Sequence, residues 1–402
     1  MRIVIINDFC SRNGGTAAVA IDSAIGLANA GCEVRFFGMT GPVDPVLAAT
    51  KGVTVYCDNE PTFLDNPSRV QAAVSGLWSL DSKRALRKFI NDWIGSEVII
   101  HVHGWVKALS ASIFTELNNK HWRVVVTLHD YFLACPNGGF LDYQKTAICT
   151  RTALSGECLF CNCDSRSYAQ KLWRFGRGLI QSYGVNIPSR IHGIIGVSHF
   201  SLNKLRSYLP EGLPISVIRN PVAVKKPEVL GGNFDGPLLY VGRLSSEKGV
   251  PLALSAARSF RRKITIIGGG PLKQQLMNDY PEADFRGWLP PEDVYTIMQS
   301  ASALVFPSLW YETNGLVVLE AMAHGLPVIV SNACASTEFV VDGVNGRHFE
   351  QGSCTSLVEV LNEVFTSQSH TSLGKSAYDW YWSNPWSQKT HVSELLSFYN
   401  KL

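Results

Sequence analysis

The sequence predicts an α/β protein of two domains, each a doubly wound parallel sheet covered by helices, with the two sheets facing each other across a cleft. Three observations predict it. Short apolar strands alternate with helical stretches, the pattern of a parallel sheet covered on both faces. The alternation stops in a stretch rich in glycine, proline and charge, from Lys225 to Pro237, and then starts again. A chain of 402 residues is long enough for two cores of ordinary size.

The first half opens with the apolar strand Arg2 to Ile6. Asn13-Gly14-Gly15-Thr16 then begins a helix whose apolar positions run through Val19, Ile21, Ile25 and Leu27. Further strands are expected at Glu33 to Phe37, Val53 to Tyr56, Val98 to Val102, Val124 to Leu128 and Ile194 to Val197. The second half repeats the pattern at Leu238 to Val241, Ile264 to Ile267, Ala283 to Arg286, Ala303 to Phe306 and Pro327 to Val330. Domains are therefore expected at 1–220, with a cysteine-rich insertion at 130–166, and at 221–377. The aromatic run Tyr378-Asp379-Trp380-Tyr381-Trp382, with Trp386, reads as a packed terminal helix within 378–402.

Composition narrows the class. Hydrophobic residues make up 46% and charged residues 17%, which fits a globular enzyme and argues against disorder. A net charge of +3 gives no ground for nucleic-acid binding. Met1 to Asp8 is too short and too quickly acidic for a signal peptide, and no apolar run reaches about 18 residues. A cytoplasmic protein without a membrane span is expected.

The chemistry-bearing motifs follow expected strands, where ligands bind in open parallel sheets. Glu312 and Glu320 lie eight positions apart around Asn314-Gly315-Leu316-Val317, with Glu312 in a strand-to-helix loop and Glu320 inside the helix. The amides of Asn314 to Val317 are the unpaired donors of that helix's first turn and suit an anion such as phosphate. Arg243 and Lys248, in Gly242-Arg243-Leu244-Ser245-Ser246-Glu247-Lys248-Gly249, offer a fixed fork and a mobile point charge for a diphosphate. Taken alone, that loop reads as a solvated basic turn pairing with Glu247. Gly14 and Gly15 allow close backbone approach to a ligand, and Gly268-Gly269-Gly270 allows close packing around a nucleotide. His101 and His103 share one face of their strand by alternation, and His129-Asp130 ends another.

The spacing of the two glutamates, followed by Ala321-Met322-Ala323-His324-Gly325-Leu326-Pro327-Val328, resembles the C-terminal signature of retaining glycosyltransferases of family 4, which have the GT-B fold. The loop at 242–249 matches a second element of that family, and the resemblance covers nearly the whole chain. It implies a nucleotide-diphosphate-sugar donor and a saccharide or lipid-linked saccharide acceptor, with retained anomeric configuration. It also implies that Glu312 contacts donor-sugar hydroxyls, Glu320 the ribose, and Arg243 and Lys248 the diphosphate. Gly287-Trp288-Leu289 would hold the base, with Trp288 either stacking on it or buried in the core. His129, with His103 and Asp130, would serve the acceptor side, and the last helix would cross back onto the first domain. Asn314 departs from the family, which often has an aromatic residue there. No Asp-x-Asp motif is present, so catalysis without a divalent metal is expected. A nucleotide-sugar epimerase of the same fold, or a silent zinc-stabilised binding protein, are the rival readings.

Ten cysteines are present, five of them between Cys135 and Cys163. The spacing of Cys135, Cys149, Cys158, Cys161 and Cys163 suits a structural zinc site on Cys135, Cys149, Cys158 and Cys163, with Cys161 as substitute; free or redox thiols and an iron–sulfur cluster are the alternatives. Lys171 to Arg177 mixes bases with aromatics on an expected helix. It reads either as a peripheral contact with the inner face of the plasma membrane or as a helix with its aromatic face in the core.

Overall fold

The computed structural model describes residues 1–228, 230–366 and 369–402. Val229, in the expected linker, and Ser367 and Gln368 lie outside the described residues. The chain divides into two compact units. Met1–Gly139, Thr150–Pro221 and Ser387–Leu402 form the first, and Phe140–Cys149 and Val222–Trp386 form the second.

The strands are β1 (Arg2–Ile6), β2 (Glu33–Gly38), β3 (Val53–Cys57), β4 (Val98–Val102), β5 (Trp122–Leu128), a short hairpin of β6 (Leu141–Asp142) and β7 (Ala147–Ile148), β8 (Gly193–Gly196) and β9 (Ile215–Val217). Seven of them build the first unit's sheet in the order β3-β2-β1-β4-β5-β8-β9, every neighbour parallel. In the second unit, β10 (Leu238–Val241), β11 (Ile264–Ile267), β12 (Asp284–Gly287), β13 (Ala303–Phe306), β14 (Val328–Ser331) and β15 (Arg347–Phe349) run β12-β11-β10-β13-β14-β15, again all parallel.

Central strands such as β4, β11, β13 and β14 are buried along their whole length, which is why they are mostly apolar throughout rather than alternating. In both sheets the strand order reverses beside the first strand. A doubly wound sheet opens a crevice at that point, outside the carboxyl ends of its strands. Asp8 and His103 follow the two strands at the first unit's reversal, and Arg243 and Glu312 follow those at the second's.

The helix Gly15–Asn29 is buried on most faces because the final helix, Gln388–Tyr399, lies along it within the first unit. Ser23 Oγ donates to the Val19 carbonyl at 2.7 Å and lies 2.9 Å from His391 Nε2. A Cβ on Gly26 would stand 2.5 Å from a Val392 methyl, so the helices approach more closely than any larger residue allows. The crossing segment was expected to begin at 378. Instead, the helix Ser369–Ser383 stays in the second unit, where Tyr381 and Trp386 are buried in its core, and the chain joins the first unit at Ser387. Among the described residues no helix is long and apolar enough to cross a membrane.

Candidate functional site

In the second unit, β13 runs into a loop that ends at Gly315, the N-cap of the helix Leu316–Ala323. Gly315 has φ 83°, and a Cβ there would lie 2.4 Å from Ser336 Oγ, so the turn admits no side chain without displacing its neighbour. This cap leaves the first-turn amides of Leu316 and Val317 facing outward from the helix end. Beside them, Asn314 is 5% exposed, and its Nδ2 has no hydrogen-bond partner among the described residues.

Glu312 is buried, and its Oε2 receives three donors: Lys248 Nζ, Ser308 Oγ at 3.2 Å and Trp310 Nε1 at 3.0 Å. Lys248 also lies 5.1 Å from the centre of the Trp310 ring. Glu247 is held elsewhere, accepting from Ser245 Oγ at 2.6 Å. The basic loop is thus no solvated turn pairing with Glu247: Lys248 is built into a partly buried ion pair with Glu312. Arg243 is exposed and has no carboxylate partner among the described residues.

Glu320 lies one turn into the same helix. Burial pushes its carboxyl up from 4.5 to about 7, and no cation or hydrogen-bond donor offsets this among the described residues. Tyr295 and Tyr381 are close enough for its charge to raise their own pKa values, after the larger effect of burial. Gly268 packs directly on the preceding loop, where a Cβ would meet the Gly242 carbonyl at 2.0 Å, whereas Gly269 is exposed with open space beyond it. Trp288 is 78% exposed, which excludes the core-tryptophan reading, while Leu289 packs against the second unit's core.

In the first unit, His103 and His129 follow β4 and β5. Their rings stack 5.1 Å apart, with His103 Nδ1 2.9 Å from His129 Nε2. Burial holds both uncharged, pushing His129 down to about 3. A neutral imidazole in this pair exchanges hydrogen bonds but supplies no full positive charge. His101 is wholly buried between Tyr399 Oη and Thr127 Oγ1, each at 2.6 Å, and therefore acts as a strut to the final helix. Asp130 accepts from the Phe132 amide at 2.9 Å, and burial pushes it up to about 6. Gly14 and Gly15 are exposed at the start of their helix, with no atom near enough to demand glycine by packing.

Asp8 was missed as a site residue. It is buried just past β1 and accepts from the amides of Val106, Ala108 and Leu109 at 3.1, 2.7 and 3.1 Å, which fixes the loop after His103. The signal was an acid immediately after an apolar strand, which was read only as evidence against a leader peptide.

In the segment Lys171 to Arg177 the bases turn inward. Lys171 is fully buried and donates to Cys158 Sγ at 3.1 Å. Arg177 is buried and donates to the Val106 carbonyl at 3.0 Å, and Arg174 pairs with Asp164 at 3.2 Å. The three bases of this stretch are thus held by protein groups, two of them buried. The cysteines of the insertion are buried at Cys135, Cys158 and Cys163 and half-buried at Cys149 and Cys161. Among the described residues no three His, Cys, Asp or Glu side chains stand as a ready metal-ligand group.

Comparison with known proteins settles the family. The profile described as "Glycosyltransferase Family 4" matches residues 13–226, more than half of the chain, and that of "Glycosyl transferases group 1" matches 235–380. The chain belongs to glycosyltransferase family 4. It is 32% identical over 148 residues to an O-antigen chain mannosyltransferase of Escherichia coli, covering 35% of this chain and 39% of that protein. It is 36% identical over 194 residues to a glycogen synthase of Mycobacterium tuberculosis, covering 41% and 45%. The matched stretches thus span less than half the length of either relative. Anabaena HepE, solved in complex with UDP and glucose, superposes over 100% of both chains with a TM-score of 0.67 at 16% identity. That likeness shows the fold, the GT-B fold expected for this family member.

Proposed function

We propose that this family 4 member is a glycosyltransferase that moves a sugar from a nucleoside-diphosphate-sugar to a hydroxyl of a saccharide or lipid-linked saccharide, in the synthesis of a surface polysaccharide. The observation that carries the reading is a pair of polar groups around one helix: Asn314 Nδ2, buried without a hydrogen-bond partner among the described residues, and the half-buried Glu320 carboxyl, whose pKa burial raises with no offsetting cation. Folded proteins rarely leave such groups unless a ligand satisfies them. Hydroxyl groups of a ribose and oxygens of a diphosphate are the partners that fit. HepE, with the same fold, has been solved with UDP and with UDP-glucose.

In this reading Glu320 accepts from the ribose hydroxyls. The first-turn amides of Leu316 and Val317, with Arg243 and Lys248, take the diphosphate, and Gly268 and Gly269 allow backbone to approach it. Trp288 and Leu289 attend the base, and Glu312, Asn314 and Gly315 border the sugar. His129, oriented by His103, exchanges a hydrogen bond with the reacting hydroxyl, and Asp130 borders the acceptor.

Retention follows a front-face path. The bond from the anomeric carbon to the leaving phosphate oxygen breaks, the acceptor oxygen bonds to the same face, and its proton passes to that phosphate. A carboxylate nucleophile is the simpler route on paper. Yet Glu312 Oε2 already receives three donors, which spread its charge and lower its nucleophilicity. Arg243 and Lys248 supply the charge that a divalent ion would otherwise bring.

A thermal-shift screen of nucleotide-sugars, followed by product analysis, tests the proposal. One donor should raise the melting temperature, nucleoside diphosphate should appear only when acceptor is present, and activity should survive brief EDTA treatment. Nucleotide release without acceptor would favour an epimerase, and no stabilisation by any nucleotide-sugar would favour a silent binding protein.

A further inference from the structure

We infer, resting on the glycosyl-transfer reading above, that Trp310 is a positioning residue of the donor site. It holds the Glu312 carboxylate and the Lys248 ammonium in one arrangement, with Oε2 of Glu312 engaged and Oε1 left to accept from a hydroxyl of the donor sugar.

Local chain geometry brings the indole to the carboxylate. After β13 the chain turns tightly, and the Glu312 amide donates to the Trp310 carbonyl at 2.8 Å, a hydrogen bond between residues two apart. That turn folds the half-buried Trp310 back beside Glu312, where its Nε1 donates to Oε2 at 3.0 Å. Main-chain contacts bring Lys248 to the same place. The Leu309 amide donates to the Glu247 carbonyl at 2.9 Å, and Gln351 Nε2 donates to the Leu309 carbonyl. Gly249, with φ 68°, comes so near that a Cβ would stand 1.9 Å from the Pro307 carbonyl oxygen. The Lys248 and Trp310 loops are therefore joined backbone to backbone, which leaves the side chains to set the finer geometry.

Lys248 Nζ, Ser308 Oγ and Trp310 Nε1 all end on Oε2, and no donor reaches Oε1 among the described residues. Of the three, Trp310 meets both ions. Its N–H reaches the carboxylate, and its ring centre lies 5.1 Å from the ammonium. A lysine is a mobile point charge on a flexible stem, and here a second carboxylate, Glu247, is its neighbour in sequence. The indole restricts that freedom twice, by a charge-assisted hydrogen bond to one ion and by an electron-rich ring beside the other. Phenylalanine would keep a ring without a donor, and serine a donor without a ring. A carboxylate fixed before the ligand arrives has no rotamer freedom to lose when it binds.

Trp310→Phe and Trp310→Leu, made in the full chain, separate the two contacts. Trp310→Phe removes the N–H and keeps a ring beside Lys248. Turnover should fall about 10- to 100-fold, with the affinity for nucleoside diphosphate, read by calorimetry, unchanged; that affinity also shows that the variant folds. Trp310→Leu removes both contacts, and affinity should then fall about two- to fivefold as well. A double-mutant cycle with Glu312→Ala shows whether Trp310 acts through Glu312. Trp310→Phe should lower turnover in the parent and scarcely change it in the Glu312→Ala chain. The same cycle on the second unit's urea midpoint is a readout that needs no turnover. Parent-like turnover in Trp310→Phe overturns the proposal, as does a loss of affinity as large as the loss of turnover. An equal loss in both backgrounds also overturns it, since a merely structural tryptophan would behave so. If the parent binds no nucleoside diphosphate and transfers no sugar, the functional reading fails and the role of Trp310 with it. If the parent does both and the cycle shows no coupling, the role of Trp310 fails alone.

Discussion

Glu320 gives the sharpest energetic prediction. Its carboxyl is raised by burial from 4.5 to about 7, and the groups that face it, Tyr295 and Tyr381, are neutral at physiological pH. Because the folded value lies above the unfolded one, the folded chain holds this proton longer. The associated stability is present in full below about pH 4.5 and is lost as pH rises through about 7. At about 1.4 kcal/mol per pH unit, that interval corresponds to about 3 kcal/mol. Glu320→Gln mimics the protonated form. It should match the parent near pH 4.5 and exceed it at pH 8 by up to about 3 kcal/mol, read from the second unit's urea transition, since a chain of two units need not unfold in one step. Saturating nucleotide should shrink the gap at pH 8, because ribose hydroxyls would donate to the ionised carboxylate. A difference between the two proteins that stays constant across this pH range would show that Glu320 is solvated and refute the argument.

Three other substitutions probe other parts of the structure. Glu312→Gln removes the anionic partner of Lys248; a loss of about 1.5–3 kcal/mol in stability is expected, with turnover falling more than donor affinity. If Glu312→Gln and Glu320→Gln only raised the apparent donor constant equally, the division between sugar and ribose contacts would be wrong. Gly315→Ala should cost about 1–2 kcal/mol from its left-handed backbone alone and more from the Ser336 contact; adding Ser336→Ala should recover the second part only, as denaturation of the double variant would show. Leu395→Ala, fully buried where the final helix lies on the first unit, should cost about 2–5 kcal/mol in that unit's unfolding, and a loss under about 1 kcal/mol would mean the helix is dispensable.

Buried parallel strands are legible because four consecutive apolar residues can be little else, and β1 and β13 lie where such runs stand. Edge strands are harder to see. Ile215–Val217 and Arg347–Phe349 are three residues each and only partly buried, so their apolar signal is weak. Residues after strand ends pointed to where polar groups gather, since the topology carries every such position to one rim of its sheet. Their partners were not legible. Lys248 lies 64 positions from Glu312, and nothing local distinguishes a lysine paired with a distant glutamate from one paired with Glu247. The basic, aromatic helix around Lys171 misled for the same reason. Periodicity places residues on a face, but whether that face meets water or the thiol of Cys158 depends on an insertion folded by its own turns.

The central claim is that the second unit captures a donor diphosphate at the start of the helix Leu316–Ala323 with Arg243. Calorimetric titration of nucleoside diphosphates into the parent chain and into Arg243→Ala tests it directly. The account predicts binding of at least one nucleoside diphosphate to the parent, weakened about 10- to 100-fold in the variant, as loss of charge-assisted hydrogen bonds worth about 1.5–3 kcal/mol requires. Equal affinity for the parent and Arg243→Ala would contradict it.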